Sequence, residues 1–234
     1  MSSASGPILA MIPARLGSQR LPKKNLASYR GAPLIAHAIR KCFEAGCFDG
    51  VWVNSESEEI AEVARAEGAR FHRRPETLAD NVATSEQFVA EFLEAHDCGT
   101  VVQVHSIAPL LTAEEVAAFV SRWREGAHDV LLSCIEDQIE VAHCGVPVNF
   151  TFAEKTNSQD LTPVQRITWS ITAWRRSTYL EAIAHGRTAT YAGRVGLHPV
   201  SAVSGHVIKT RSDLGVAEAL AAALDAQGGA RRSA

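Results

Sequence analysis

Apolar runs of strand length alternate along the chain with stretches whose apolar residues recur at helical spacing. Residues 8–14, "ILAMIPA", are the first such run and predict a strand. "PLIAHAIRKCFEAG" follows with helical periodicity, Pro33 fitting its start and Gly46 its end. "GVWVNS" predicts the second strand. Ser55 with Glu58 has the spacing of a capping box ahead of "EEIAEVARAEG"; Thr84 with Gln87 repeats it before "EQFVAEFLEAH", and Thr112 with Glu115 before "AAFVSRWREG". "TVVQVHSIAPLL" and "DVLLSCIE" read as further strands, "RITWSITAWR" as a return to the sheet, and "TYLEAIAHG" and "DLGVAEALAAALDA" as helices. This alternation predicts an α/β fold, a parallel sheet with helices on both faces.

The pattern breaks in two places. Residues 137–166, containing "VPVNFTFAEKTNSQDLTPVQ", are polar and irregular, and predict a small extension that covers the site or pairs with another subunit. "QGGARRSA", residues 227–234, reads as a disordered tail. The remainder is expected to be one domain, because 234 residues at 46% hydrophobic content can bury a full core. There is no internal repeat.

Composition excludes several classes. A net charge of −3 argues against a general nucleic-acid binder, which needs a broad surplus of Lys and Arg. No apolar run reaches membrane-spanning length, and "MSSASGPILAMIPA" lacks the charged start and long apolar stretch of a signal peptide, so the expected location is the cytoplasm. Cys42, Cys47, Cys98, Cys134 and Cys144 are odd in number and lack the close pairs of zinc sites or disulfide frameworks. They read as buried or incidental thiols. No serine sits in a Gly-x-Ser-x-Gly elbow and no cysteine in a nucleophile motif, which argues against a hydrolase.

The chemistry concentrates in residues 12–26, "IPARLGSQRLPKKNL", directly after the first strand. In an open α/β sheet ligands bind beyond the carboxyl ends of the strands, and this loop is the usual place. Gly17 lets backbone approach a ligand, Ser18 and Gln19 offer hydrogen bonds, and Arg15, Arg20, Lys23 and Lys24 supply charge for phosphate oxygens. The pattern is neither a Walker loop nor a dinucleotide fingerprint. On residues alone it reads as a triphosphate site or as a solvated basic turn.

The same stretch resembles the phosphate loop of the cytidylyltransferases that make CMP-activated acidic sugars, the CMP-sialic acid and CMP-Kdo synthetases. "GAPLIAHAI", "VWVNSESEEIAEVARAEGA", "RRPETLADNVATSEQFV", "QVHSIAPLL" and "DLGVAEAL" extend the resemblance over nearly the whole chain. It implies a mixed, mostly parallel α/β sheet of the nucleotide-binding glycosyltransferase type. It also implies a homodimer formed through an inserted extension, and attack of a sugar hydroxyl on the α-phosphorus of CTP with release of pyrophosphate. Arg15, Ser18, Gln19, Lys24 and Asn25 match positions that hold the triphosphate; Arg74 matches an arginine near the nucleotide. Gln19 stands where lysine is common, and Arg20 and Lys23 restore that charge.

The resemblance also implies magnesium, which the family holds on an Asp-Ile-Asp pair before the last helix. This chain has Val207, Ile208 and Lys209 there, and "VHSIAPL" carries no acid where the Kdo branch has one. Three expectations follow: magnesium held by CTP and water with Lys209 replacing one ion's charge; a softer metal on His105, His206 and Asp213; or a CTP-binding homologue without turnover, acting as a sensor. His105 also replaces a residue on the substrate side, where sialic-type sequences usually have Gln nearby.

Further candidates each have a bland alternative. Asp80 and Ser85 match nucleotide-side positions but suit a turn or helix entry equally. Gln165 and Arg166 stand at the mouth of a strand, where the guanidinium could recognise a sugar carboxylate or form an exposed salt bridge. Trp169 and Trp174 fit alternating strand positions and read as core or subunit contact. The acceptor is left open between an acidic sugar, a related hydroxy acid and a phosphonate.

Overall fold

The computed structural model describes residues 6–80 and 82–232, with side chains through residue 227. In chain order the elements are β1 (Ile8–Pro13), β2 (Ser28–Tyr29), β3 (Ala32–Pro33), α1 (Leu34–Ala45), β4 (Gly50–Ser55), α2 (Glu58–Ala66), β5 (Arg70–Arg73), α3 (Ser85–Ala95) and β6 (Thr100–Val104). They continue with α4 (Ala113–Glu125), β7 (Val130–Asp137), β8 (Ala142–His143), β9 (Val146–Pro147), β10 (Val164–Arg175), α5 (Arg176–Ala184), β11 (Val195–Pro199) and α6 (Arg211–Arg232).

A seven-stranded sheet in the order β11-β7-β10-β6-β1-β4-β5 forms the frame. β1 runs parallel to β4 and β6, β5 parallel to β4, and β11 parallel to β7. β10 is antiparallel to both β6 and β7, so the sheet is mixed and not the purely parallel one that alternation alone predicts. Periodicity carries no information about strand direction, and the long excursion before β10 lets the chain re-enter reversed.

Central strands with both faces covered read as continuous apolar runs, and β1 shows why. Ile8, Ala10 and Ile12 pack with Ile35 and Ile39 of α1, Ile60 of α2 and Phe119 and Trp123 of α4. The alternate residues Leu9 and Met11 pack on the opposite face with Phe92 and Leu93 of α3 and Tyr179 of α5. Capping boxes at Thr84–Gln87 and Thr112–Glu115 start α3 and α4 as expected, and Gly46 ends α1 in the left-handed conformation (φ 62°). The expected Ser55–Glu58 box does not form. Ser57 caps α2, accepting from the Ile60 amide, while Ser55 Oγ accepts from the Ser57 amide.

A smaller apolar cluster positions the site. Leu21, from the middle of the basic loop, packs with Tyr29, Leu34, Leu110, Ile208 and Leu214. One buried leucine thus nails the loop to α1 and α6. Full burial of such a side chain is worth about 1.5–3 kcal/mol.

The irregular excursion between β7 and β10 carries the β8–β9 hairpin, whose turn residues Cys144 and Gly145 both have positive φ (50° and 81°). α6 continues to Arg232, through most of the stretch expected to be a tail; Ser233 and Ala234 lie outside the described residues. The five cysteines are all free: Cys42, Cys98 and Cys134 are buried and Cys144 is exposed. Among the described residues no helix is long and apolar enough to cross a membrane.

Candidate active site

Residues 14–27 leave the carboxyl end of β1 between the ends of β4 and β6, the position at which open α/β sheets bind ligands. The chain holds this loop from three sides. The Ala14 amide donates to the Asn54 carbonyl (3.0 Å) and the Leu16 amide to Glu56 Oε1 (2.8 Å), so the end of β4 fixes the loop's entry. Asn25, buried in a short 3-10 turn over Lys24–Leu26, donates to the Arg15 carbonyl (2.9 Å) and accepts from Ser106 Oγ (2.7 Å). Lys24 Nζ donates to the Ile208 carbonyl (3.2 Å), reaching the segment before α6. The Ile208 amide in turn donates to the Ile107 carbonyl (2.8 Å), closing a ring of three loops.

The cations divide into two groups. Arg15, Arg20 and Lys209 surround Lys24: burial lowers the pKa of Lys24, and Arg20, Arg15 and Lys209 lower it further, with Asp213 opposing. Arg15 is steered by a hydrogen bond to the Asp80 carbonyl (2.7 Å). Lys23 belongs elsewhere. It takes a left-handed conformation (φ 49°), and its Nζ pairs with both carboxylate oxygens of Glu59 on α2 (2.7 and 2.8 Å).

Ser18 and Gln19 sit at the loop crest, where their side chains have no hydrogen-bond partner among the described residues. A Cβ built on Gly17 meets nothing within 4 Å, so the chain's own packing does not require glycine there. That open space is room for a ligand.

Arg74 is buried and braces the site's floor. Its guanidinium donates to the side chain and carbonyl of Asn54 and lies 4.1 Å from the centre of the Phe88 ring. Burial lowers its pKa to about 10, which leaves it charged at neutral pH. Asp80 makes a turn: its Oδ1 accepts from the Val82 and Ala83 amides (2.8 and 2.7 Å), which keeps its pKa low. Ser85 is the exposed first residue of α3.

At the end of β6, His105 hydrogen-bonds Gln103 through Nε2 (2.8 Å), and its amide donates to the Ser170 carbonyl (3.1 Å). Burial, with Lys24 adding, pushes its pKa down to about 4, so the ring is neutral at pH 7. The Ser170 carbonyl is turned toward it by a bulge in β10 between Ile167 and Thr172, where Trp169 has φ 58°. Trp169 pairs with Tyr191, whereas Trp174 is core, as expected. Gln165 bonds Glu136 (3.1 Å) and Arg166 bonds Asp137 (3.0 Å), exposed cross-strand contacts with β7. Arg166 also lines a cleft of about 290 Å³ with Gly205, His206, Val207, Lys209 and Asp213.

The structure does not bring His105, His206 and Asp213 together as ligands. The His206 Nε2–H donates to the Asp213 backbone carbonyl (2.8 Å), while Asp213 Oδ2 accepts from the amides of Lys209 and Thr210 and from the Thr210 hydroxyl, capping α6. Among the described residues no group of at least three His, Cys, Asp or Glu side chains could hold a metal. The acids nearest the cations each hold backbone amides through one oxygen and form no cluster of three among the described residues, a donor set that does not fit a protein-held magnesium ion.

Sequence reasoning missed Glu56, Asn54, Gln103 and Ser106. The Asn54 and Gln103 side-chain nitrogens are buried without a partner at the ends of β4 and β6. Such orphaned donors are costly unless a ligand or water satisfies them.

Comparison with known proteins gives this mixed α/β sheet and its cationic loop a family. The profile of the Cytidylyltransferase family matches residues 9–192. The chain belongs to the cytidylyltransferase family. It is 31% identical over 129 residues to N-acylneuraminate cytidylyltransferase A of Danio rerio, covering 55% of this chain and 30% of that protein. It is 37% identical over 112 residues to pseudaminic acid cytidylyltransferase of Campylobacter jejuni (subsp. jejuni serotype O:2), covering 45% and 48%. The matches therefore span less than half the length of either relative. Among solved structures, a CMP:2-keto-3-deoxy-manno-octonic acid synthetase complexed with CTP superimposes with a TM-score of 0.70 at 17% identity, over 92% of this chain and 98% of that one. The fold is shared.

Proposed function

We propose that this protein transfers CMP from CTP to the hydroxyl of an acidic sugar, of the sialic acid, pseudaminic acid or Kdo type, or a related hydroxy acid, and releases pyrophosphate. The observation that carries the reading is the convergence of Arg15, Arg20, Lys24 and Lys209 at the carboxyl end of β1 in a chain of the cytidylyltransferase family. In-line displacement at a phosphoryl centre asks the protein for charge neutralisation and for orientation of the attacking oxygen. Ser18, Gln19 and Asn25 orient the triphosphate in this reading, and Arg74 sets the floor under the nucleotide. Asp80 and Ser85 shape the turn beside it, and His105, Gln165 and Arg166 face the acceptor.

The reaction needs no protein nucleophile, consistent with the absence of a nucleophile motif. The neutral His105 suits a hydrogen-bonding role toward the sugar.

A homodimer through the excursion before β10 is part of the proposal. Ile139, Val146, Val148 and Phe152 are 57–74% exposed there, a concentration of apolar surface that a second subunit would cover. The cytoplasm is the proposed location, in keeping with free thiols throughout.

Calorimetric titration with CTP, against ATP, GTP and UTP, tests the nucleotide assignment. Selective CTP binding supports it; equal binding of the four nucleotides removes it.

A further inference from the structure

The surroundings of Lys209 bear on how the triphosphate's charge is met. Lys24 Nζ rests on the Ile208 carbonyl, the peptide group that leads into Lys209, so the two lysines enter the site side by side. Lys209 is exposed, and its ammonium makes no hydrogen bond or ion pair among the described residues. Arg20 is equally exposed and unpaired among them.

Each nearby carboxylate has one oxygen held by backbone amides. Asp213 Oδ2 holds the amides that begin α6, Asp80 Oδ1 holds the amides that lead into α3, and Glu56 Oε1 holds the Leu16 amide. The cleft beside Lys209 is lined by Arg166 and His206 as well, and Asp213 is its one acid. A hard divalent cation wants oxygen ligands, and an ion bound here would face two ammonium groups with two guanidinium groups close by.

We propose that this protein neutralises the triphosphate with fixed side-chain cations, Lys209 and Lys24 foremost, in place of a divalent metal held by the protein. The inference rests on the reading of this site as a CTP site. Lysine serves as a compact, mobile positive charge for phosphate oxygens, and Lys24 is already oriented by its carbonyl contact. Lys209, at the mouth of the cleft, closes on the ligand from the opposite loop. Its lack of a partner among the described residues is what a group reserved for a ligand requires.

The test is calorimetric titration of CTP into the full-length protein, in magnesium and in EDTA, for wild type, Lys209→Ala and Lys209→Asp. Lys209 is exposed, so these variants keep the fold, which circular dichroism checks. Removing magnesium is expected to weaken wild-type CTP binding by less than about fivefold, whereas Lys209→Ala loses about tenfold or more in EDTA. Lys209→Asp is expected to bind CTP only with magnesium, because it supplies the carboxylate the site lacks. Wild-type affinity falling by about fivefold or more in EDTA overturns the proposal, as does Lys209→Ala binding CTP like wild type in EDTA. No CTP binding in either buffer overturns the CTP reading itself, and this inference with it.

Discussion

Ser106 Oγ donates to Asn25 Oδ1 at 2.7 Å, and both side chains are buried. This bond joins the turn that ends the basic loop to the loop after β6, while the Asn25 side-chain amide donates to the Arg15 carbonyl (2.9 Å). Asn25→Ala leaves a buried hydroxyl and a carbonyl without their partner. The expected cost is about 1–3 kcal/mol of stability, with CTP affinity lowered as well. Ser106→Ala is expected to cost less, because the Asn25–Arg15 contact survives. Urea unfolding of the two variants checks the order.

Leu21 is the apolar anchor of an otherwise charged loop. Leu21→Ala is expected to destabilise the protein by about 2–5 kcal/mol, the range for buried leucine truncation. A loss under about 0.5 kcal/mol, the usual range for surface substitutions, would place Leu21 outside the core.

Gly17 separates stability from binding. Its surroundings are open, so Gly17→Ala is expected to change unfolding free energy by no more than about 0.5 kcal/mol. The added methyl occupies the space where backbone meets the ligand, and CTP affinity is expected to fall by about tenfold or more. Equal CTP affinity in the variant would remove that contact.

The lysines at positions 23 and 24 are adjacent and predicted to behave differently. Lys23→Ala breaks an exposed pair with Glu59, worth about 0.2–1 kcal/mol, and leaves CTP affinity near wild type. Lys24→Ala removes a half-buried cation from the centre of the cluster and is expected to abolish measurable CTP binding. Titration of both variants decides.

Lys41 gives a pH signature. It is buried on α1, donates to the Ala108 carbonyl (2.9 Å), and burial lowers its pKa to about 8. Between about pH 8 and the unfolded value near 10.4, the unfolded chain binds the extra proton, so stability rises with pH across that window. Below it the depressed pKa is a standing cost. Urea midpoints from pH 7.5 to 10 are expected to climb in wild type relative to Lys41→Met; parallel curves would contradict the assignment.

Much of this architecture is legible in the chain itself. The apolar run at β1, the boxes at Thr84 and Thr112 and the charge of residues 15–24 locate the sheet, two helix starts and the candidate site. What escapes depends on distance in sequence. Nothing near Glu56 indicates that it holds Leu16, and nothing near Leu21 that it meets Ile208 and Leu214. β5 ("RFHR") and β11 ("VGLHP") are edge strands whose polar residues mask their alternation. Asp213 reads as a metal candidate when taken alone; Thr210 three residues before it carries the capping spacing that the structure bears out.

The most direct measurement of the central claim is pyrophosphate release from CTP with sialic, pseudaminic and Kdo-type acids as acceptors, and with ATP, GTP and UTP as nucleotide controls. The account predicts release that requires both CTP and an acidic acceptor and disappears in Lys24→Ala. Release without regard to nucleotide, or none with CTP and any of these acids, would contradict it.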